Sequence, residues 1–207
     1  MKKEIGRWLF KYLPTTKIPS IVRLSMDKVL IKQFKRLKPG VVLDVGAELV
    51  PYKKYIPYTK YLTLDVDEQW QPDIVSDLHQ IDWEANYFDT IICTEVLEHL
   101  YDPQKAINEM HRILKPGGII IASTRFIEPY HPYPNDYFRF SWDSLKYLFR
   151  QWSAVEIFHH GNRLHVIYNL INSGNIRMIL NIFNPIIALY ESKNTKCPNG
   201  FIIFARK

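Results

Sequence analysis

Short apolar runs alternate with helical spacing along most of the chain. Val41-Val42-Leu43-Asp44-Val45 is apolar but for one acid and is closed by Gly46, so it predicts a buried strand entering a turn. Residues 61–65, 73–76, 88–93 and 118–123 repeat that grammar. Between them lie helical patterns over 52–56, 96–100 and 103–114. In the last, Ile107, Met110, Ile113 and Leu114 recur at three- and four-residue steps. Strands alternating with helices predict parallel crossovers and an α/β, doubly wound sheet with helices on both faces. Beyond the fifth strand the spacing predicts a helix over 141–150 with Ser141 as N-cap, and strands over 154–159 and 201–205. The long gap between those two strands exceeds ordinary loop length. Apolar helical segments over 163–172 and 176–190 fill it, so residues 161–199 read as a helical insertion before the last strand.

The first 40 residues follow a different pattern. Pro14 and Pro19 split them into two short helices. In the second, Leu24, Leu30, Ile31, Phe34 and Leu37 share one side, while Lys28, Lys32, Lys35 and Arg36 take the other. Charge separates the same two regions. The whole chain of 207 residues carries +6. Residues 1–40 hold 11 Lys/Arg against Glu4 and Asp27, or +9, and residues 41–207 carry −3. The division expected is therefore a basic helical N-terminal appendage over 1–40 and a mildly acidic domain over 41–207. A hydrophobic share of 47% excludes a disordered chain. No basic stripe with interleaved aromatics marks the domain, so no nucleic acid is expected. Cys93 and Cys197 make no disulfide framework. With no apolar signal core near Met1 and no apolar run of spanning length, the expected location is cytoplasmic. The basic arm adds peripheral contact with the inner face of the membrane to that expectation.

Several predicted strands end in chemically useful residues. Asp44-Val45-Gly46 closes the first, Asp65 the second, Asp77 follows the third, and Cys93-Thr94-Glu95 closes the fourth. Parallel strands bring such ends to one edge, where open α/β sheets bind ligands. Gly46 lets backbone approach a ligand, and a carboxylate at the second strand suits the hydroxyls of a ribose. A third carboxylate suits the exocyclic amine of adenine.

Val42-Leu43-Asp44-Val45-Gly46-Ala47, Tyr61-Leu62-Thr63-Leu64-Asp65, Cys93-Thr94-Glu95-Val96-Leu97-Glu98-His99-Leu100 and Arg112-Ile113-Leu114-Lys115-Pro116-Gly117-Gly118 resemble, in order and spacing, a class I S-adenosylmethionine-dependent methyltransferase of the type 11 kind. The resemblance covers about residues 41–125. It implies a seven-stranded sheet of order 3-2-1-4-5-7-6 with the last strand antiparallel. It assigns Asp44 and Gly46 to the methionine end of the cofactor and Asp65 to its ribose. Asp77 and Leu78 go to its adenine, and Cys93 and Thr94 to the floor beneath it. The implied activity is methyl transfer to a small-molecule or glycan-type acceptor at oxygen, releasing S-adenosylhomocysteine. A segment from His131 to Phe140 is similar to one branch of these proteins, often associated with surface polysaccharides. The loop after strand one departs from the family: Glu48 and Val50 stand where small residues or glycines are usual. Glu48 either pairs with the cofactor's ammonium group or fills the pocket. The second case would make the chain a catalytically inactive binding or assembly module. A nicotinamide dehydrogenase is a weaker alternative, because two glycines of its fingerprint are missing.

The candidate bases are Glu95, His99, His131 and Asp136, and the candidate acceptor contacts are Tyr52, His131, Tyr137 and Arg139. All but Tyr137 have a plainer role: Glu95 as a helix-start acid, His99 and Tyr52 as packing, His131 in a rigid loop, Arg139 in an ion pair with Asp136. His159-His160 has no partner at ligand spacing, so no metal is expected. The insertion has three candidate uses, a lid, a homodimer interface or contact with lipid-linked substrate, beside plain packing.

Overall fold

The computed structural model describes residues 19–47, 50–132, 134–171, 182–190 and 195–207. Its strands are β1 (Val41–Val45), β2 (Lys60–Asp65), β3 (Ile74–Val75), β4 (Phe88–Thr94), β5 (Leu114–Arg125), β6 (Ala154–His160) and β7 (Gly200–Arg206). They form one seven-stranded sheet in the order β3-β2-β1-β4-β5-β7-β6. All pairs are parallel except those of β7, which runs antiparallel to β5 and β6. Fold class and strand order are those expected. β5 is longer than expected: it begins at Leu114 and carries the Lys115-Pro116-Gly117 signal inside it as an irregularity, with Gly117 at φ +77°.

The central strands read as continuous apolar runs because both sheet faces are covered. Successive side chains on a strand point to opposite faces. Leu43, Ile91, Ile120 and Ile203 therefore enter one core layer, and Val42, Ile92, Ile121 and Ile202 enter the other. The first layer is closed by α2 (Pro103–Ile113) and α3 (Trp142–Leu148), through Ala106, Ile107, Met110, Leu145 and Phe149. Asp102 caps α2 by accepting from the Lys105 amide at 3.0 Å, and Ser141 caps α3 by accepting from the Ser144 amide at 3.3 Å.

The second layer is closed by α1 (Ile21–Phe34), which places Met26, Leu30 and Phe34 at 0% exposure against Val42, Ile92, Ile121, Ile202 and Phe204. This corrects the expected appendage. The apolar side of the basic helix meets a sheet face that would otherwise stand bare, and each of those three side chains contributes about 1.5–3 kcal/mol by leaving water. The lysines keep their heads outside, and Arg36 lies over the Phe204 ring at 3.7 Å and pairs with Glu156. The first expected helix, before Pro14, lies outside the described residues.

The described parts of the insertion are α4 (Arg163–Ile171) and α5 (Asn184–Ile187). They pack onto the start of α1, where Ile21 and Val22 meet Tyr168, Ile187 and Ala188. His165 Nε2 lies 2.9 Å from the Ile187 carbonyl, and Asn184 donates to the Pro19 carbonyl at 2.8 Å. Packing is thus one use of the insertion. Its outer side leaves Ile167, Leu170, Ile186 and Leu189 exposed. The helix expected over 176–190 appears in the described part only as α5; Pro185, which lacks an amide hydrogen, sits in its first turn. Among the described residues no helix is long and apolar enough to cross a membrane.

Candidate cofactor and acceptor site

A cavity of about 570 Å³ lies at the carboxyl ends of β1, β2 and β4, beside the point where strand order reverses. Gly46 leaves β1 with φ +66° and donates its amide to the Leu64 carbonyl at 2.8 Å. A Cβ there would stand 2.5 Å from Cγ2 of Val96, so the close approach requires glycine. Asp65 is 8% exposed, and its Oδ1 accepts the Asp67 amide at 3.0 Å, a local turn that fixes the carboxylate at the wall. After β3, Asp77 Oδ1 accepts from the His79 amide at 2.8 Å and lies 2.5 Å from His79 Nδ1. His79 Nε2 accepts the Asp102 amide at 3.3 Å, so Nδ1 carries the proton and donates to Asp77. The His79 ring also stacks on Tyr101, centroids 3.8 Å apart. Burial works to raise the Asp77 carboxyl, but the bonds from His79 outweigh it and hold the group below the usual carboxylate range.

Gly46, Asp65, Asp77, Leu78 and Thr94 thus share one wall of the cavity. Asp44 and Cys93 do not. Both are buried, on opposite faces of the sheet: Asp44 pairs with Ile92 of the second layer, and Cys93 pairs with Val45 of the first. Burial pushes the Asp44 carboxyl up to about 6, and the Tyr61 hydroxyl, donating at 2.5 Å, offsets part of that rise. Burial, with Glu98 and Asp44 nearby, pushes the Cys93 thiol up. Glu48 lies outside the described residues. Val50 is described, and its φ of +44° is the left-handed backbone that glycine favours.

The other end of the cavity is built from the β4 loop and the segment after β5. Glu95, at φ +58°, accepts from the Ser123 hydroxyl at 2.7 Å and pairs with Arg125. Arg125 also meets Glu128 at 3.2 Å, and Asn169 of α4 donates to Glu128 at 3.1 Å. Glu95 is at the wall but is occupied by Arg125, so it is corrected from candidate base to anchor. Asp136 forms a forked pair with Arg139 and accepts the His131 amide at 3.1 Å. Arg139 holds that carboxyl well below the usual range, which removes Asp136 as a base and places Arg139 in a loop-holding pair. Tyr52 is also corrected: its ring packs against Phe34 in the second core layer, and its hydroxyl donates to Asp27 at 2.6 Å. Tyr137 and His99 do line the cavity.

His99 ends a one-turn 3-10 helix, Leu97–His99, rather than sitting in a longer helix. The amide of Tyr137 donates to the Glu98 carbonyl at 2.9 Å, which ties the aromatic loop to that turn. His131 thereby comes to stand edge-on to His99, ring centroids 5.1 Å apart. Burial lowers the His131 ring from its ordinary value, against the pull of Asp136.

Four side chains at this site escaped the sequence reading: Arg23, His79, Glu98 and Arg125. The logic of strand ends was available for the last, since Arg125 closes β5 just as Asp65 closes β2. Glu98 was signalled by a charge set in an apolar run, and it is 0% exposed. Arg23 reaches the cavity from α1, 3.1 Å from Asp27 and over the Tyr52 ring at 4.9 Å; no local signal foretells that.

Residues 43–122 match the family model described as Methyltransferase domain. A ubiquinone biosynthesis O-methyltransferase of Azotobacter vinelandii is 30% identical over 111 residues, covering 45% of this chain and 48% of the relative. The chain thus spans about half the length of that curated relative. Among solved structures, a SAM dependent methyltransferase from Archaeoglobus fulgidus shares the fold at 19% identity with a TM-score of 0.56, covering 89% of this chain and 92% of that one. The (4+2) cyclase SpnF shares it at 18% identity and a TM-score of 0.58, covering 88% and 81%. The fold therefore carries more than one chemistry. Residues 43–122 thus match a methyltransferase domain model, and the whole sheet has the seven-stranded fold that these solved structures share.

Proposed function

We propose that this chain binds S-adenosylmethionine in the cavity at the carboxyl edge and transfers its methyl group to an oxygen of a small acceptor. One observation carries the reading: Gly46, Asp65, Asp77 and Thr94 line a single cavity of about 570 Å³. The cofactor supplies the activated methyl on a cationic sulfonium. The chain's own residues do the rest. Gly46 gives close backbone approach, Asp65 accepts ribose hydroxyls, and Asp77, held by His79, faces the base. Arg23 is positioned for the cofactor's carboxylate. The acceptor enters between Tyr137 and His99, where its oxygen must lie in line with the methyl group. With Glu95 and Asp136 held by arginines, His99 and His131 remain of the four candidate bases at that end. The oxygen preference draws support from the Azotobacter relative, named for O-methylation.

Calorimetry with S-adenosylhomocysteine tests the reading. A single site is expected, weakened about tenfold or more by Asp65→Ala through two lost charge-assisted hydrogen bonds, with the melting temperature little changed. Absence of binding by both S-adenosylmethionine and S-adenosylhomocysteine overturns it. The inactive-module alternative rests on Glu48 and Val50, and Glu48→Gly separates the two: lost affinity assigns Glu48 to the cofactor, gained affinity marks it as an obstruction.

A further inference from the structure

We propose that Glu98, His99 and His131 form a binding site for a divalent transition cation of the Zn²⁺ type at the acceptor end of the cavity. One carboxylate oxygen and one nitrogen from each ring lie within 4.8 Å of one another. Two imidazoles and one carboxylate, with a further position open, is a donor set that catalytic zinc sites use. Zn²⁺ holds such donors at about 2.0–2.2 Å, so modest rotation of the side chains closes the set around an ion.

Two further observations point to a ligand there. First, Glu98 is 0% exposed, and its Oε1 has no hydrogen-bond partner, whereas Oε2 accepts from the Thr124 hydroxyl at 2.9 Å. A buried carboxylate oxygen left without a donor is costly, and a cation answers that cost. Second, both rings present a backbone carbonyl to Nδ1. His99 Nδ1 meets the Asn135 carbonyl, and His131 Nδ1 lies 3.2 Å from the Pro129 carbonyl. A ring that donates from Nδ1 keeps its lone pair on Nε2, which is how outer partners orient metal-binding histidines. Arg139 Nη2 and Asp136 Oδ2 each lie 3.5 Å from His131 Nδ1, on the side away from Nε2, and the Arg139 charge is offset by its forked pair with Asp136. The segment from Asn135 to Phe138 is latched to the Glu98 carbonyl, so loop and turn hold the three donors together.

The inference deepens the methyl-transfer reading and rests on it for its purpose. A cation at this end lowers the pKa of an acceptor hydroxyl that reaches it. The hydroxyl proton passes to solvent, the oxygen forms its bond to the methyl carbon, and the sulfur–methyl bond breaks to leave neutral S-adenosylhomocysteine.

The test uses the full chain stripped with chelator and dialysed. Co²⁺ is titrated in and followed by visible absorption, and Zn²⁺ uptake is measured by calorimetry. One ion per chain is expected. Glu98→Gln, which keeps the bond from Thr124, and His131→Ala should each weaken uptake about tenfold or more, while His111→Ala on α2 leaves it unchanged. Circular dichroism verifies that the variants fold. Failure of the folded chain to take up either ion saturably, or uptake unchanged in both Glu98→Gln and His131→Ala, overturns the proposal. S-adenosylhomocysteine binding is measured in the same samples. Cation uptake without it would strike the methyl-transfer reading and leave the cation site standing.

Discussion

Replacing Asp44 by Asn should make the protein more stable at neutral pH, and the gain should grow with pH. Asp44 is 3% exposed and receives one hydroxyl, that of Tyr61. Burial raises its carboxyl from 3.8 to about 6. For an acid, a raised folded pKa means that the native state binds the proton more tightly than the unfolded chain does. Stability therefore falls as pH rises through the window from 3.8 to about 6 and is level above it. Fully ionised, the group costs about 3 kcal/mol; at pH 5 linkage gives about 1.5 kcal/mol. Asn has nearly the same shape, still accepts from Tyr61, and carries no charge. The variant should gain about 1.5 kcal/mol at pH 5 and up to about 3 kcal/mol at pH 7.5, a rise of roughly 6–12 °C in melting temperature at the higher pH. Urea unfolding at both pH values, followed by circular dichroism, measures the difference. A variant no more stable at pH 7.5, or a gain that does not change between the two, would refute the argument that burial dominates at Asp44.

Arg125→Met should destabilise by about 3–5 kcal/mol, since it strands Glu95 and Glu128 at partly buried positions; adding Glu95→Gln should recover part of the loss, and urea midpoints of both variants give the comparison. Val50→Gly should be neutral to about 1 kcal/mol stabilising, as relief of about 1–2 kcal/mol at φ +44° exceeds the added freedom of the unfolded chain. Thermal melts read that difference, and a clear loss of stability would show that the valine side chain is held by packing.

The sheet was legible because each central strand carries two apolar faces, as at Ile91-Ile92 and Ile120-Ile121, and because turn residues punctuate them. The cavity wall was legible for a related reason: strand ends in a parallel sheet converge, so Gly46, Asp65 and Thr94 meet without any further knowledge of the chain. Direction of side chains within the wall was not legible. Asp44 is adjacent in sequence to the useful end of β1, yet the pleat turns it inward. The end of the cavity near His99 was harder, because it depends on contacts distant in sequence. His99 and His131 meet where the Tyr137 and Phe138 amides bind the Glu98 carbonyl and His99 Nδ1 meets the Asn135 carbonyl. The roles of Glu95 and Asp136 likewise depended on which arginine each would find, which residue type alone does not decide.

The helix α1 shows how composition and folding can divide a chain at different places. Charge changes sign at residue 40, but the side chains of Met26, Leu30 and Phe34 belong to the same core as Ile121 and Ile202. A deletion placed at the charge boundary would strip one face of the sheet and remove Arg23 from the cavity, so any loss of binding would report unfolding as readily as a missing contact. Cutting ahead of Pro19 instead preserves the layer and removes five of the basic residues. The cut that isolates the basic arm as a variable therefore follows the helix, not the charge.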